Sequence, residues 1–171
     1  KQKNLKKYFK NVKYVFHLAG LADIVPSIKK PGSYFSSNVA GTLNVLESLR
    51  EVKKCKAVII TSDKSYKNLE IKRGYSENDI IGGNDPYSGS KGAAELIINS
   101  YIKSFFINKK RIKIAIARAG NVIGGGDWST DRIIPDCVKS WYKNKKITIR
   151  SPKSTRPWQH VLDAIRGYLI L

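Results

Sequence analysis

Three short apolar runs alternate with longer segments of helical spacing, and this alternation restricts the fold more than any other feature of the chain. The runs are Tyr14-Val-Phe-His-Leu-Ala19, Ala57-Val-Ile-Ile-Thr61 and Ile112-Lys-Ile-Ala-Ile-Ala117. Each is too short for a helix and reads as a strand, the first of them expected to be buried on both faces. Between the first two, the stretch from Asn38 to Val52 places Val39, Leu43, Val45, Leu46 and Leu49 at helical intervals. Between the second and third, Pro86 can open a helix that runs to about Phe106, carrying Ala93, Ala94, Leu96, Ile97, Tyr101 and Phe105. Strands separated by helices of this length pair in parallel, with the helices packed on the faces of the sheet. The fold class is therefore α/β, a doubly wound parallel sheet.

Around that frame, Lys3 to Lys10 reads as a helix, and Thr61 to Asp85 as a polar excursion rich in glycine, asparagine and aspartate. Beyond the third strand, Gly124-Gly-Gly126 falls in a loop. Ile133 to Tyr142 is expected to be helical, Ile147 to Arg150 a short strand and Val161 to Leu171 a helix. The division expected is residues 1–123 against 124–171. A doubly wound nucleotide-binding domain usually opens with a strand and a glycine-rich turn. No such turn precedes the first strand here, and the chain stops within an apolar helix, so an interior slice of a longer protein is expected, lacking the amino-terminal glycine-rich unit and the end of its second part.

The formal charge of +19 invites a nucleic-acid or membrane reading. The lysines, however, are spread along the chain in pairs such as Lys53–Lys54, Lys109–Lys110 and Lys145–Lys146, at the margins of apolar segments. There is no basic stripe interleaved with aromatics and no recognition-helix pattern, so no nucleic-acid partner is expected. No apolar run reaches the roughly 18 residues of a membrane span. Cys55 and Cys137 are too few for a disulfide framework, which favours a reducing, cytoplasmic setting. No cluster has metal-ligand spacing.

Tyr87 precedes Lys91 by four residues at the start of the second long helix, which puts both side chains on one face. A free phenol titrates near about 10 and is a poor base at neutral pH. An ammonium close by favours the phenolate, so the pair suits removal of a proton from an alcohol. The same spacing occurs in ordinary amphipathic helices. Thr61-Ser-Asp-Lys64 follows directly on the second strand, at its carboxyl end, where ligands of open α/β sheets bind. Ser62, Asp63 and Lys64 offer a hydroxyl, a carboxylate and an ammonium in succession, although serine and aspartate also serve as turn and cap residues.

Taken with Phe16-His-Leu-Ala-Gly20, Asn38-Val-Ala-Gly-Thr42, Arg118-Ala-Gly-Asn121-Val-Ile-Gly124 and Arg156-Pro-Trp-Gln-His160, these residues resemble the extended branch of the short-chain dehydrogenase/reductases, the nucleotide-sugar epimerases and dehydratases. The resemblance covers nearly all 171 residues. Gly82-Gly-Asn-Asp-Pro-Tyr-Ser-Gly-Ser-Lys91, Ala117 to Trp128 and Thr155 to His160 are most similar to the 4,6-dehydratases of CDP-glucose. Asp63-Lys64 stands where dehydratases of dTDP-glucose carry Asp-Glu. The segment Gly20 to Ser27 is closer to the epimerases.

The resemblance implies a Rossmann-like fold, NAD as cofactor and a nucleotide sugar, CDP-glucose, as substrate. It implies Tyr87, Lys91, Ser62, Asp63 and Lys64 as catalytic residues. His17, Ala19, Gly20, Asn38 and Thr61, with Tyr87 and Lys91, would lie on the cofactor side. Asn121 and Arg156 would contact substrate, the planar arginine fork being suited to phosphate oxygens. A lone histidine ending a buried strand is also an ordinary packed residue. The family pairs subunits through two helices per chain, here about Val39–Arg50 and Ala93–Phe105, so a homodimer of the full-length protein is expected.

Overall fold

The computed structural model describes residues 2–171. They group into two compact units, residues up to Ala119 and residues from Gly120 to Ile170. The first unit is built on a three-stranded parallel sheet in the order β1 (Tyr14–His17), β2 (Cys55–Ile60), β3 (Ile112–Ala117). Helix α1 (Gln2–Phe9) precedes β1. Between β1 and β2 run α2 (Ile24–Lys29), α3 (Pro31–Tyr34), a π-helical turn (Phe35–Ala40) and α4 (Gly41–Arg50). Helix α5 (Pro86–Tyr101) and a π-helical turn (Ile102–Phe106) return the chain from β2 to β3. Doubly wound parallel architecture is thus what the alternation of runs produces.

The central strand β2 buries Ala57, Val58 and Ile59 in succession, as a strand covered on both faces must. Leu46 and Leu49 of α4, Ile98 of α5 and Ile112 of β3 close around it. Each such side chain removed from water contributes on the order of 1.5–3 kcal/mol. Strand β1 departs from expectation. Tyr14 and Phe16 are exposed and only Val15 and His17 turn inward, because successive side chains point to opposite faces and only the face of Val15 packs on the core. It also ends at His17, so that Leu18 to Asp23 form a loop.

The helix expected from Asn38 begins earlier. Pro31 opens a continuous helical course to Arg50, and the wider π turn carries Asn38 inside it. Helix α5 starts where Asp85 caps it: the carboxylate accepts from Ser88 N at 3.0 Å and from Ser88 Oγ at 2.7 Å, and Pro86 occupies the first helical position. The excursion before it holds a single 3₁₀ turn (Asp63–Ser65) and an antiparallel bridge between Tyr66 and Ile81.

In the second unit β4 (Asn121–Ile123) pairs in parallel with β5 (Trp158–His160), and α6 (Ile133–Tyr142) and α7 (Val161–Ile170) are helical. Ile147 to Arg150, expected as a strand, is irregular, and the strand lies instead at Trp158–His160. The apolar alternation at Ile147 and Ile149 finds no ladder, whereas three residues after Pro157 find one in β4.

Candidate active site

The loops that leave the carboxyl ends of β1, β2 and β3 all belong to one edge of the first sheet, the edge at which open α/β sheets hold ligands. Residues Ala19 and Gly20 come from the first loop, Thr61 to Lys64 from the second, Arg118 from the third. Against them α5 presents Tyr87, Lys91 and Glu95, spaced by four and so on one helix face.

Tyr87 stands at the amino end of α5, where the exposed N–H groups and helix dipole favour negative charge. Its phenol donates to Ser62 Oγ at 3.2 Å, and its ring meets Tyr34 edge to face with centroids 6.3 Å apart. Ser62 in turn donates to Asp63 Oδ1 at 3.1 Å and accepts from Lys64 N at 3.2 Å, capping the 3₁₀ turn. Tyr87, Ser62, Asp63 and Lys64 are therefore brought together across 25 residues of chain.

Lys91 is half-buried, and burial lowers its ammonium pKa from the ordinary value while the charge of Glu95 pulls it back up. The ammonium makes no hydrogen bond to any described residue. A Cβ on Gly20 would lie 3.3 Å from Lys91 Nζ and 2.9 Å from Asn38 Oδ1. The bare backbone at Gly20, beside a cation with donors to spare, fits a polar group offering hydroxyl or phosphate oxygens.

Asn38 is buried and uses its amide within the protein. Its Oδ1 accepts from Leu21 N at 2.8 Å, and its Nδ2 donates to Leu21 O at 3.0 Å and to Ser90 Oγ at 2.9 Å. Ser90 donates to the Tyr87 carbonyl at 2.7 Å, so Asn38 fastens the loop after β1 to the first turn of α5. His17 closes a similar link. Thr42 Oγ1 donates to Asn38 O at 2.7 Å and so accepts from His17 Nε2 at 3.2 Å, which leaves Nδ1 as the bare nitrogen. Burial, and then the positive charge of Lys91, lowers the pKa of the ring.

Glu95 escaped the sequence reasoning. It is 0% exposed, yet its carboxylate accepts from Thr61 Oγ1 at 2.6 Å, Ser65 Oγ at 2.7 Å and Arg118 Nε at 2.8 Å. Arg118 also donates to Tyr66 Oη at 2.8 Å and lies over that ring at 4.6 Å. Its guanidinium pKa is raised above the usual range, mainly by the Glu95 carboxylate. The signal was present: Glu95 continues the Tyr87–Lys91 face into a stretch of alanine, leucine and isoleucine, where a charge needs a partner.

Asn121 starts β4, and Arg156, exposed, donates to the neighbouring Thr155 carbonyl; both belong to the second unit. Among the described residues no group of histidine, cysteine, aspartate or glutamate could hold a metal ion, and no helix is long and apolar enough to cross a membrane.

Comparison with known proteins gives this geometry its context. A CDP-glucose 4,6-dehydratase of Salmonella typhimurium is 47% identical over 162 residues, 92% of this chain and 45% of the relative. A UDP-glucuronic acid 4-epimerase of Bacillus cereus, solved with UDP-glucuronic acid and NAD, superposes with a TM-score of 0.83 at 25% identity, covering 97% of this chain and 51% of its own. A dTDP-glucose 4,6-dehydratase of Streptomyces venezuelae shares the fold with a TM-score of 0.84 at 22% identity, covering 98% and 50%. The chain thus spans about half the length of the relatives it matches. The model of the NAD dependent epimerase/dehydratase family matches residues 1–171. With its parallel sheet and the Tyr87–Lys91 face at the strand ends, the chain belongs to the NAD dependent epimerase/dehydratase family.

Proposed function

We propose that the protein carrying this chain is a CDP-glucose 4,6-dehydratase, converting CDP-glucose to CDP-4-keto-6-deoxyglucose. The observation that carries the reading is the hydrogen-bonded set Tyr87–Ser62–Asp63, with Lys64 next in the same turn, in a chain 47% identical to a dehydratase of that specificity. Residues 1–123 would form part of the NAD-binding domain and residues 124–171 the start of the nucleotide-sugar-binding part. NAD, when bound, supplies reversible two-electron acceptance.

Tyr87, poised by the helix end and by the charge of Lys91, takes the proton of the glucose 4-hydroxyl. Ser62, already within hydrogen-bond reach of the phenol, holds the 4-oxygen. Once C4 is a ketone the C5 proton is acidic; Lys64 removes it and Asp63 protonates the departing 6-hydroxyl, so water leaves across C5–C6, and return of the hydride taken from C4 to C6 with a proton to C5 gives the 4-keto-6-deoxy sugar. Lys91 would face the cofactor with Ala19, Gly20 and Thr61, while Asn38 and His17 shape that loop. Asn121 and Arg156 would contact the substrate's phosphates and sugar.

A UDP-sugar 4-epimerase is the second reading, favoured by the Gly20–Ser27 segment. The change Lys64→Ala separates the two. In a dehydratase it abolishes loss of water while oxidation at C4, seen as nicotinamide absorbance, remains; dehydration that survives the change overturns the role of Lys64. We also infer a cytoplasmic homodimer that pairs through α4 and α5, where Leu43, Leu96, Ile97 and Tyr101 line a shallow apolar groove.

A further inference from the structure

We propose that Glu95 is a positioning residue, a buried carboxylate that holds the Ser62–Asp63–Lys64 segment at its working distance from Tyr87. Ser62 and Tyr87 lie on different elements and are joined by one hydrogen bond of 3.2 Å, which by itself leaves the loop free to pivot. Glu95 lies two turns beyond Tyr87 on the same helix. Its Oε1 accepts from Thr61, the residue before the segment, and from Ser65, the residue after it. A rigid helix therefore grips the loop on both sides of the three-residue segment whose Ser62 meets Tyr87.

The grip is locked from behind. Arg118, at the end of β3, donates to both Glu95 oxygens, so the carboxylate is oriented by a cation on a third element. The same guanidinium donates to Tyr66 Oη and to the Glu77 carbonyl, tying down the start and the middle of the long excursion. Gly92 completes the fit: a Cβ there would lie 3.1 Å from Ile81 Cγ2 and 3.6 Å from Ser65 O, so α5 and the loop approach at a helix position without a side chain. Glu95 and Arg118 act through the Ser62–Lys64 segment and not on the substrate. Their part is to set the geometry of the groups that do, and displacements of about 1 Å cost on the order of 100-fold in rate.

The activity arm of the test rests on the proposed dehydratase reading; the exchange arm does not. Thr61→Val deletes a bond to Glu95 while leaving its charge pair with Arg118 intact, whereas Thr61→Ser keeps the hydroxyl; Ser65→Ala deletes the second bond together with the Ser65 Oγ contact to Ser62 O at 2.6 Å, so Thr61→Val is the deciding variant. Hydrogen exchange on the full-length protein should show the Lys64, Ser65 and Tyr66 amides opening roughly ten-fold faster in Thr61→Val and Ser65→Ala, with α5 unchanged. In turnover of CDP-glucose, kcat should fall about 10- to 100-fold with KM within about three-fold, and Thr61→Ser should restore it. Unchanged exchange in residues 64–66, or faster exchange with kcat untouched, overturns the proposal. A wild-type protein that does not turn over CDP-glucose overturns the substrate reading instead, and the exchange result still decides the role of Glu95.

Discussion

Tyr87 Oη donates to Ser62 Oγ at 3.2 Å, so the helix that carries the Tyr87–Lys91 face meets the loop after β2 through two hydroxyls. That contact joins a group suited to taking a proton with a group suited to holding the oxygen it leaves. Four predictions test the surroundings of this pair.

Tyr87→Phe removes the phenolic oxygen and little else. Ser62 keeps Asp63 and the Lys64 amide as partners, so the fold should persist with stability within about 1 kcal/mol of wild type. Turnover of CDP-glucose should drop by roughly 100- to 10,000-fold, the usual contribution of a positioned acid or base. Steady-state kinetics beside a denaturant curve would check both halves.

His17 makes stability depend on pH. Its folded pKa lies below the ordinary 6.5, through burial first and Lys91 second. The unfolded imidazole therefore binds its proton before the folded one does, and stability declines as pH falls from about 6.5 toward the folded value. Above 6.5 the ring is neutral in both states and adds no slope. Urea unfolding across that range should show the decline in wild type and a flatter profile in His17→Gln, whose amide still donates to Thr42.

Gly83→Ala should destabilise strongly. A Cβ there would fall 2.4 Å from Gly89 N and 2.4 Å from the Ser88 carbonyl carbon, both backbone atoms of the first turn of α5. Neither can give way as a side-chain tip can. The cost should reach about 3 kcal/mol, the upper end for overpacked sites, and the displaced turn carries Tyr87 with it. A shift in the urea midpoint at constant slope, with reduced kcat, is the expected result.

Leu96→Asp tests the pairing of subunits. Leu96 is exposed on the first unit and lines the groove with Leu43 of α4. A carboxylate at the centre of an apolar contact carries a desolvation penalty that a solvent-facing one does not. Sedimentation of the full-length protein should shift from dimer to monomer, with the far-ultraviolet spectrum unchanged.

Much of this arrangement is local and was legible as such. The three strands and the helices between them announce themselves by periodicity, and Pro86 marks the start of α5 by its fixed backbone geometry. The Tyr87–Lys91 face follows from helical spacing. These are properties of neighbours in the chain, and a residue's immediate neighbours decide them.

What the tertiary structure decided are relations between distant residues. Ser62 meets Tyr87, Asn38 spends its amide on Leu21 and Ser90, and Glu95 gathers Thr61, Ser65 and Arg118. The exposure of Tyr14 and Phe16 and the choice of Trp158–His160 over Ile147–Arg150 as a strand belong with them, since a strand's burial and its very existence depend on which partners lie beside it. Local spacing says which side chains share a face. Only packing brings a second face up to the first, because the hydrogen bonds and buried area that hold the two together come from residues well separated in the sequence.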